Sequence, residues 1–144
     1  MSENSALVKG VNRAWDAGLV VVVAAGNNGP RTMSITTPGI SRKVITVGCS
    51  DDDREVLVGG NRMVDYSGRG PTAACICKPD LVAPGCSVVS CAGRADKYTI
   101  KSGTSMSTPI VSGATALLLE RYPDMTNKDL SLIHISEPTR LDVI

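Results

Sequence analysis

The sequence predicts an α/β domain with a mostly parallel sheet. An amphipathic segment is followed at once by a long β-branched run, short apolar runs recur between Gly- and Pro-rich loops, and a long stretch of small apolar residues comes last. A helix followed directly by a buried strand is half of a doubly wound unit. The 144 residues are the length of one ordinary domain.

The elements follow in order from local patterns. Leu7, Val8 and Val11 recur at helical spacing, which predicts a helix over residues 5–17. The run 19–25 predicts a strand buried on both faces, as in a parallel sheet. Further strands are predicted at 44–47 and 81–83, with short pieces at 87–90 and 98–101. A helix follows over 104–121, and its small apolar residues predict that it is buried.

The composition excludes several classes of protein. Apolar residues make up 42% of the chain, and 15 basic residues balance 14 acidic ones, giving a net charge of +1. Disorder is therefore excluded, and neither nucleic acid nor an acidic membrane surface is an expected partner. The longest apolar run, 19–25, is too short to span a bilayer, and the chain opens without a basic leader.

The five cysteines predict reduced thiols, because their odd number cannot close a disulfide framework and so favours a cytosolic chain. Cys75 and Cys77, together with Cys86 and Cys91, are one candidate metal cluster, but their spacing does not match the usual zinc pairs, so no metal is expected. The acidic run 51–53 is interpreted as a solvated turn rather than a calcium site. Asp80 is interpreted as a structural hydrogen-bonding residue.

The first segment with chemical interest is AAGN, at Ala24, Ala25, Gly26 and Asn27, directly after the first predicted strand. Ligands of open α/β sheets bind outside the carboxyl ends of strands, and small residues there let another backbone approach. Asn27 would present an amide donor at that rim. The alternative is an ordinary tight turn, which Asn and Gly also favour.

The second segment is GTSMSTP at residues 103–109, where a loop enters the long helix. The amide end of a buried helix stabilises negative charge, so Ser105 is a candidate nucleophile. The alternative is a simple Ser/Thr N-cap. Taken together, a serine at a helix start and an Asn donor at a strand end are two parts of an acyl-transfer site.

These segments resemble the subtilisin-like serine peptidases (subtilases, peptidase family S8) of bacterial type, over about residues 5–129. Residues 66–72 (YSGRGPT) and 78–85 (KPDLVAPG) also resemble segments of that family. The resemblance implies a three-layer αβα fold, a polypeptide substrate and no organic cofactor, with structural calcium an option in the full-length protein.

The resemblance also implies a role for each site residue. Ser105 would attack the scissile carbonyl, while the Asn27 side-chain amide and the Ser105 backbone N–H would bind the oxyanion. Ala24, Ala25 and Gly26 would form a wall of the pocket for the residue before the cut.

The departure from the family concerns the catalytic acid and base. Subtilisins order their triad Asp, His, Ser along the chain, yet no histidine precedes Ser105. Residues 1–129 are therefore expected to be the C-terminal half of a peptidase domain, with the N-terminal half as its partner. The chain alone is expected to be inactive.

The single histidine, His134, follows Ser105, which is the order of α/β-hydrolases, but these need G-x-S-x-G and position 107 is Ser. Thr126 and Asp129 form a capping box, yet no helical periodicity continues after Leu130. Residues 130–140 resemble a translated sequencing-library adapter, so the segment 130–144 is expected to be a non-native tail. The competing hypotheses are a non-catalytic subtilase-like fold kept for binding and a cysteine metal module.

Overall fold

The computed structural model describes residues 4–93 and 97–136. The elements are α1 (Ala6–Asp16), β1 (Val22–Ala24), β2 (Ile45–Cys49), β3 (Val56–Val58), β4 (Asn61–Met63), β5 (Leu81–Ala83), β6 (Val88–Cys91), β7 (Tyr98–Lys101), α2 (Thr104–Arg121) and α3 (Asn127–Ser136). The predicted helices at 5–17 and 104–121 and the predicted strand at 81–83 are confirmed. Ser5 caps α1, since its side chain accepts the Val8 N–H.

The central sheet is parallel and has the order β1-β2-β5. All residues of β2 are buried, as expected of a central strand. Two antiparallel pairs, β3 with β4 and β6 with β7, lie outside this sheet. The β3–β4 hairpin was not predicted; it turns at Gly59 and Gly60, both of which have positive φ.

Helices cover both faces of the sheet, which gives a partial αβα fold. Ile45 of β2 and Val111 of α2 line a common apolar cavity of about 130 Å³, so α2 lies on the Ile45 face. Val8 of α1 packs instead with Ala25, which directly follows Ala24 of β1 and therefore points to the other face.

The prediction that the first strand is buried on both faces is wrong. Strand β1 covers only Val22–Ala24, and all three residues are partly exposed. Within residues 4–93 and 97–136 it pairs on one side only, with β2, and so forms an edge of the sheet. The apolar run is that of a central strand, and its outer edge has no partner in the described part of the chain.

The prediction that α2 is buried is also wrong. Its buried residues are Thr104, Ser107, Val111 and Thr115, which recur every three or four positions on the face against the sheet. The opposite face is apolar and exposed, with Leu117 67% accessible. Pattern and burial therefore disagree at α2 as they do at β1.

Asp80 forms hydrogen bonds that hold the central strand β2 in place, which confirms its predicted role as a structural hydrogen-bonding residue. Its Oδ2 accepts the Thr46 N–H at 2.7 Å and the Lys78 ammonium at 2.6 Å. Lys78 is buried and also donates to the Val44 carbonyl at 2.8 Å. This carboxylate is therefore structural and neutralises a buried charge.

Replacing Asp80 with alanine is expected to lower the free energy of unfolding by about 3–5 kcal/mol, because Lys78 would stay buried without its counter-ion. Urea denaturation of the chain measures the loss. Asp16→Ala is the matched control, since the Lys43–Asp16 pair is half-exposed and should contribute less than about 1 kcal/mol. Equal losses in both variants would contradict the assignment.

The C-terminal helix begins at the predicted capping box. Asp129 accepts the Thr126 N–H and hydroxyl at 2.8 and 2.7 Å, and these bonds lower the pKa of Asp129. Asn127 ties the helix to the end of α1 and to the segment that follows it, donating to the Trp15 carbonyl at 2.7 Å and to the Leu19 carbonyl at 3.1 Å. The helix runs to Ser136 although the sequence after Leu130 lacks helical periodicity.

Leu130, the first residue of the expected non-native tail, is buried. Residues 137–144 and the side chain of His134 lie outside the described residues. The assignment of 130–144 as a non-native tail stays a prediction. None of the described helices combines the length and apolarity that crossing a membrane requires. All five cysteines carry free thiols.

Candidate active site

Ser105 is the second residue of α2 and is exposed. It lies in an open groove of about 430 Å³ between β1 and the start of the helix, with Ala24 on the strand side and Thr108 on the helix side. Gly103 precedes the helix with φ 143°, a backbone conformation that favours glycine. The serine is thus presented at a helix N-terminus beside the carboxyl end of a parallel strand.

Asn27 is locked to the start of α2. Its Oδ1 accepts both the Thr104 N–H and the Thr104 hydroxyl, each at 3.0 Å. The Thr104 Oγ1 in turn accepts the Gly26 N–H at 3.2 Å. Segments 77 residues apart in sequence are therefore joined by three hydrogen bonds at the point where the strand end meets the helix start.

Two N–H donors remain unused at this junction. Because Thr104 donates twice to the Asn27 carbonyl oxygen, the amide orientation is fixed and its NH₂ carries no bond to another described residue. The Ser105 N–H, in the first turn of α2, also has no acceptor among the described residues. An amide side chain and a helix-terminal N–H near one serine are what an oxyanion needs.

The three predicted wall residues have different surroundings. Ala24 borders the groove of Ser105. Ala25 is fully buried among Val8, Ile35 and Ile40, so its side chain adds no surface to the groove. Gly26 has φ 94°, and a Cβ there would overlap the Thr36 side chain.

Two buried residues of the segment 103–109 were missed as contributors to the site. Thr104 is fully buried and makes the bonds to Asn27 and Gly26 described above. Ser107 is equally buried and donates to the Ala83 carbonyl at 2.8 Å, which ties the helix start to β5. The sequence signal that could have identified them is the presence of small hydroxyl residues on both sides of the candidate nucleophile.

A polar cluster lies behind the turn into α2 at Gly103, called here the nucleophile loop after the predicted role of Ser105. The Gly103 N–H donates to the Gly85 carbonyl at 2.9 Å, and that carbonyl also accepts the Tyr66 hydroxyl at 3.3 Å. The hydroxyl lies 3.2 Å from Cys49 Sγ and 3.1 Å from Cys86 Sγ. Burial raises the pKa of the Cys49 thiol to about 11 and also raises the pKa of Tyr66.

The carboxylate of that cluster is Asp51. Its Oδ1 accepts the Gly85 N–H at 2.7 Å, the Cys86 N–H at 3.1 Å and the Cys49 thiol at 3.1 Å. Although partial burial acts in the opposite direction, these hydrogen bonds leave the pKa of Asp51 below its usual value. Asp51 is therefore an anion within the hydrogen-bonding network behind the loop.

No catalytic base is joined to Ser105 in the described part of the chain. None of the described carboxylates makes a hydrogen bond with the Ser105 hydroxyl, and the side chain of His134, the single histidine, lies outside the described residues. Asp80, the acidic residue that follows the 66–72 segment, is occupied by Lys78 and Thr46. The described site thus contains a serine and two N–H donors but no base.

Gly103→Ala is expected to destabilise the chain by about 1–3 kcal/mol, because alanine is strained at this φ. The added Cβ would also lie 3.2 Å from the Asn27 Nδ2 and press on the site. Gly113→Ala is the control: that glycine lies inside α2 with no atom within 4 Å of the new methyl. It should stabilise the chain by roughly 0.5–1 kcal/mol. Thermal unfolding that moves in the same direction for both variants would refute this description of the turn.

Fold and site together define an α/β protein with an exposed serine at the start of a helix, beside the carboxyl end of a parallel strand. The sequence profile of the subtilase family (Peptidase S8) matches residues 1–138. The chain belongs to the subtilase family.

Among curated relatives, serine protease AprX of Bacillus subtilis (strain 168) is 42% identical over 133 residues, covering 83% of this chain and 30% of that protein. Subtilisin DY of Bacillus licheniformis is 36% identical over 127 residues, covering 87% of this chain and 41% of the relative. The chain thus spans less than half the length of these relatives.

A solved structure, sphericase, superposes with a TM-score of 0.71 at 34% identity over 91% of this chain and 44% of its own. The S41 psychrophilic protease gives the same TM-score at 32% identity and the same coverage. The expected partial subtilisin-like fold is confirmed.

Proposed function

We propose that this chain is the nucleophile-bearing part of a serine endopeptidase that cleaves polypeptides through a seryl acyl-enzyme. The observation that carries the proposal is the pair of hydrogen bonds from Thr104 to the Asn27 carbonyl oxygen. These bonds fix an unused amide donor beside the helix turn that presents Ser105. The membership of the subtilase family supports the same reaction class.

The chemistry follows from these groups. The Ser105 Oγ attacks the scissile carbonyl, and negative charge develops on the carbonyl oxygen. The Asn27 NH₂ and the Ser105 N–H donate to that oxygen, and the N-terminal end of α2 adds favourable dipole charge. Ala24 borders the groove in which the substrate lies. The acyl-enzyme is then hydrolysed by water.

The proton of the Ser105 hydroxyl needs a base, which we place with its orienting acid in a further segment of the complete domain. Three observations support this placement. No histidine precedes Ser105, and the chain spans 30% of AprX. The sheet edge at β1 is apolar and partly exposed, and the outer face of α2 is apolar and exposed. The partner proposed for β1 and for the outer face of α2 is therefore the remainder of the domain. Acyl transfer by these groups requires no organic cofactor; any structural calcium would belong to the complete protein.

The test compares peptide hydrolysis by the isolated chain with hydrolysis by the complete domain. The isolated chain is expected to lack activity, since loss of the triad histidine alone lowers kcat about 10⁶-fold in subtilisin. The complete domain is expected to hydrolyse a denatured protein substrate. Ser105-dependent hydrolysis by the isolated chain would refute the proposal that the base lies in a further segment of the domain. A complete domain that folds but does not hydrolyse the substrate would favour a binding role.

A further inference from the structure

We propose that Cys49, Asp51 and Cys86 form a binding site for a thiophilic divalent ion, Zn²⁺ or Cd²⁺, behind the nucleophile loop. The ligand atoms of the three residues all lie within 4.8 Å of one another. Cys49 ends β2, Asp51 follows it, and Cys86 follows β5, so the parallel pairing of these two strands brings the donors together. The site is distinct from the Ser105 groove.

The donor set selects the class of ion. Two sulfurs and one carboxylate oxygen suit Zn²⁺ and its softer relatives, whereas calcium and magnesium take oxygen ligands. Zinc–sulfur and zinc–oxygen distances of about 2.3 and 2.1 Å place two sulfurs on one tetrahedral ion roughly 3.8 Å apart. The sulfurs of Cys49 and Cys86, at most 4.8 Å apart, need to approach by no more than about 1 Å.

The site conserves charge when it is loaded. Without an ion it holds the Asp51 carboxylate and the free thiols of Cys49 and Cys86. On binding, two S–H bonds break, two sulfur–metal bonds form and two protons pass to solvent, with no change of oxidation state. Exchange of two protons for one divalent ion leaves the net charge of the site unchanged.

The surroundings supply an entrance and a supporting shell. Cys49 is buried, but Cys86 and Asp51 are partly exposed and open the site to solvent. Asp51 is oriented by the Gly85 and Cys86 N–H groups. The Tyr66 hydroxyl lies 3.2 Å from Cys49 Sγ and 3.1 Å from Cys86 Sγ, so it would form hydrogen bonds with the two ligand sulfurs. An outer shell that orients the ligands is characteristic of protein metal sites.

The test is a Cd²⁺ titration of the 144-residue chain under a phosphine reductant, followed by thiolate-to-cadmium absorbance and by bound metal after desalting. The exposed cysteines are first replaced (Cys75→Ser, Cys77→Ser, Cys91→Ser) so that only the proposed pair remains. This background variant is expected to bind one equivalent. Its Tm should rise with Cd²⁺ concentration, because the ion binds only where folding brings the three ligands together.

Cys86→Ser and Cys49→Ser in that background are each expected to weaken Cd²⁺ binding by more than about 100-fold, and Asp51→Asn by roughly 10-fold or more. Circular dichroism checks that each variant folds. Cys86 is partly exposed, so its variant decides the question if the buried Cys49 variant unfolds. Undiminished binding in a folded Cys86→Ser variant, or no binding by the folded background protein, would overturn the proposal. Neither result depends on peptidase activity.

Discussion

Replacing Ser105 with alanine in the complete domain is expected to lower kcat by about 10⁶-fold, the loss that removal of its own nucleophile causes in subtilisin. The reason is that Ser105 would form the covalent bond to the acyl group, and its exposed place in the first turn of α2 suits that role. The stability of the Ser105→Ala variant should be close to that of the unmodified domain, because the Ser105 side chain lines the groove rather than the core. Steady-state hydrolysis of a peptide substrate, with thermal unfolding alongside, measures both quantities.

Ser90→Ala is the matched control for that experiment. Ser90 is an exposed serine on β6 outside the groove, so its variant should keep wild-type kcat. A Ser105→Ala variant that retains even a hundredth of the activity would show that another group is the nucleophile.

Replacing Asn27 with aspartate is expected to lower kcat by about 10²–10³-fold or more while KM changes little. Aspartate keeps an Oδ1 that accepts both Thr104 donors, so the junction of β1 with α2 should persist. It lacks the amide donor and places a negative charge where the oxyanion develops. The kinetic loss should therefore appear without a matching loss of stability.

The comparison with Thr104→Val separates positioning from catalysis at the same junction. Valine removes the hydroxyl that bonds Asn27 and Gly26 but leaves the amide donor in the molecule. That variant should lose stability by about 1–3 kcal/mol, since the Gly26 N–H and the Asn27 oxygen lose a partner. An Asn27→Asp enzyme with wild-type kcat would show that the amide takes no part in the reaction.

Much of the fold could be predicted because local pattern and tertiary structure agree. Helix α1 has its N-cap at Ser5, and β5 lies between a proline and a Pro-Gly turn. The failures at β1 and α2 share one physical origin. Their residues have the composition of a buried element, but pattern alone does not report how many neighbours each element has among the described residues.

Only those parts of the site that belong to a local sequence motif could be predicted. Ser105 and Asn27 each stand at the end of an element, which sequence pattern can locate. The Thr104 bonds that fix the Asn27 amide connect residues 77 apart, and no local pattern reports such a contact. The proximity of Cys49 to Cys86 was not predicted for the same reason. Pairing of β2 with β5 brings these two residues together, whereas spacing in the sequence pointed to Cys75, Cys77, Cys86 and Cys91.

The most direct test of the acyl-enzyme proposal is to label the complete domain with a fluorophosphonate and locate the adduct by peptide mass spectrometry. Only a serine activated by a base reacts with this class of probe at a useful rate. One adduct per molecule, on Ser105, is the predicted result, with labelling abolished in Ser105→Ala and retained in Ser90→Ala. A folded domain that takes no label, or takes it on another residue, would contradict the proposal.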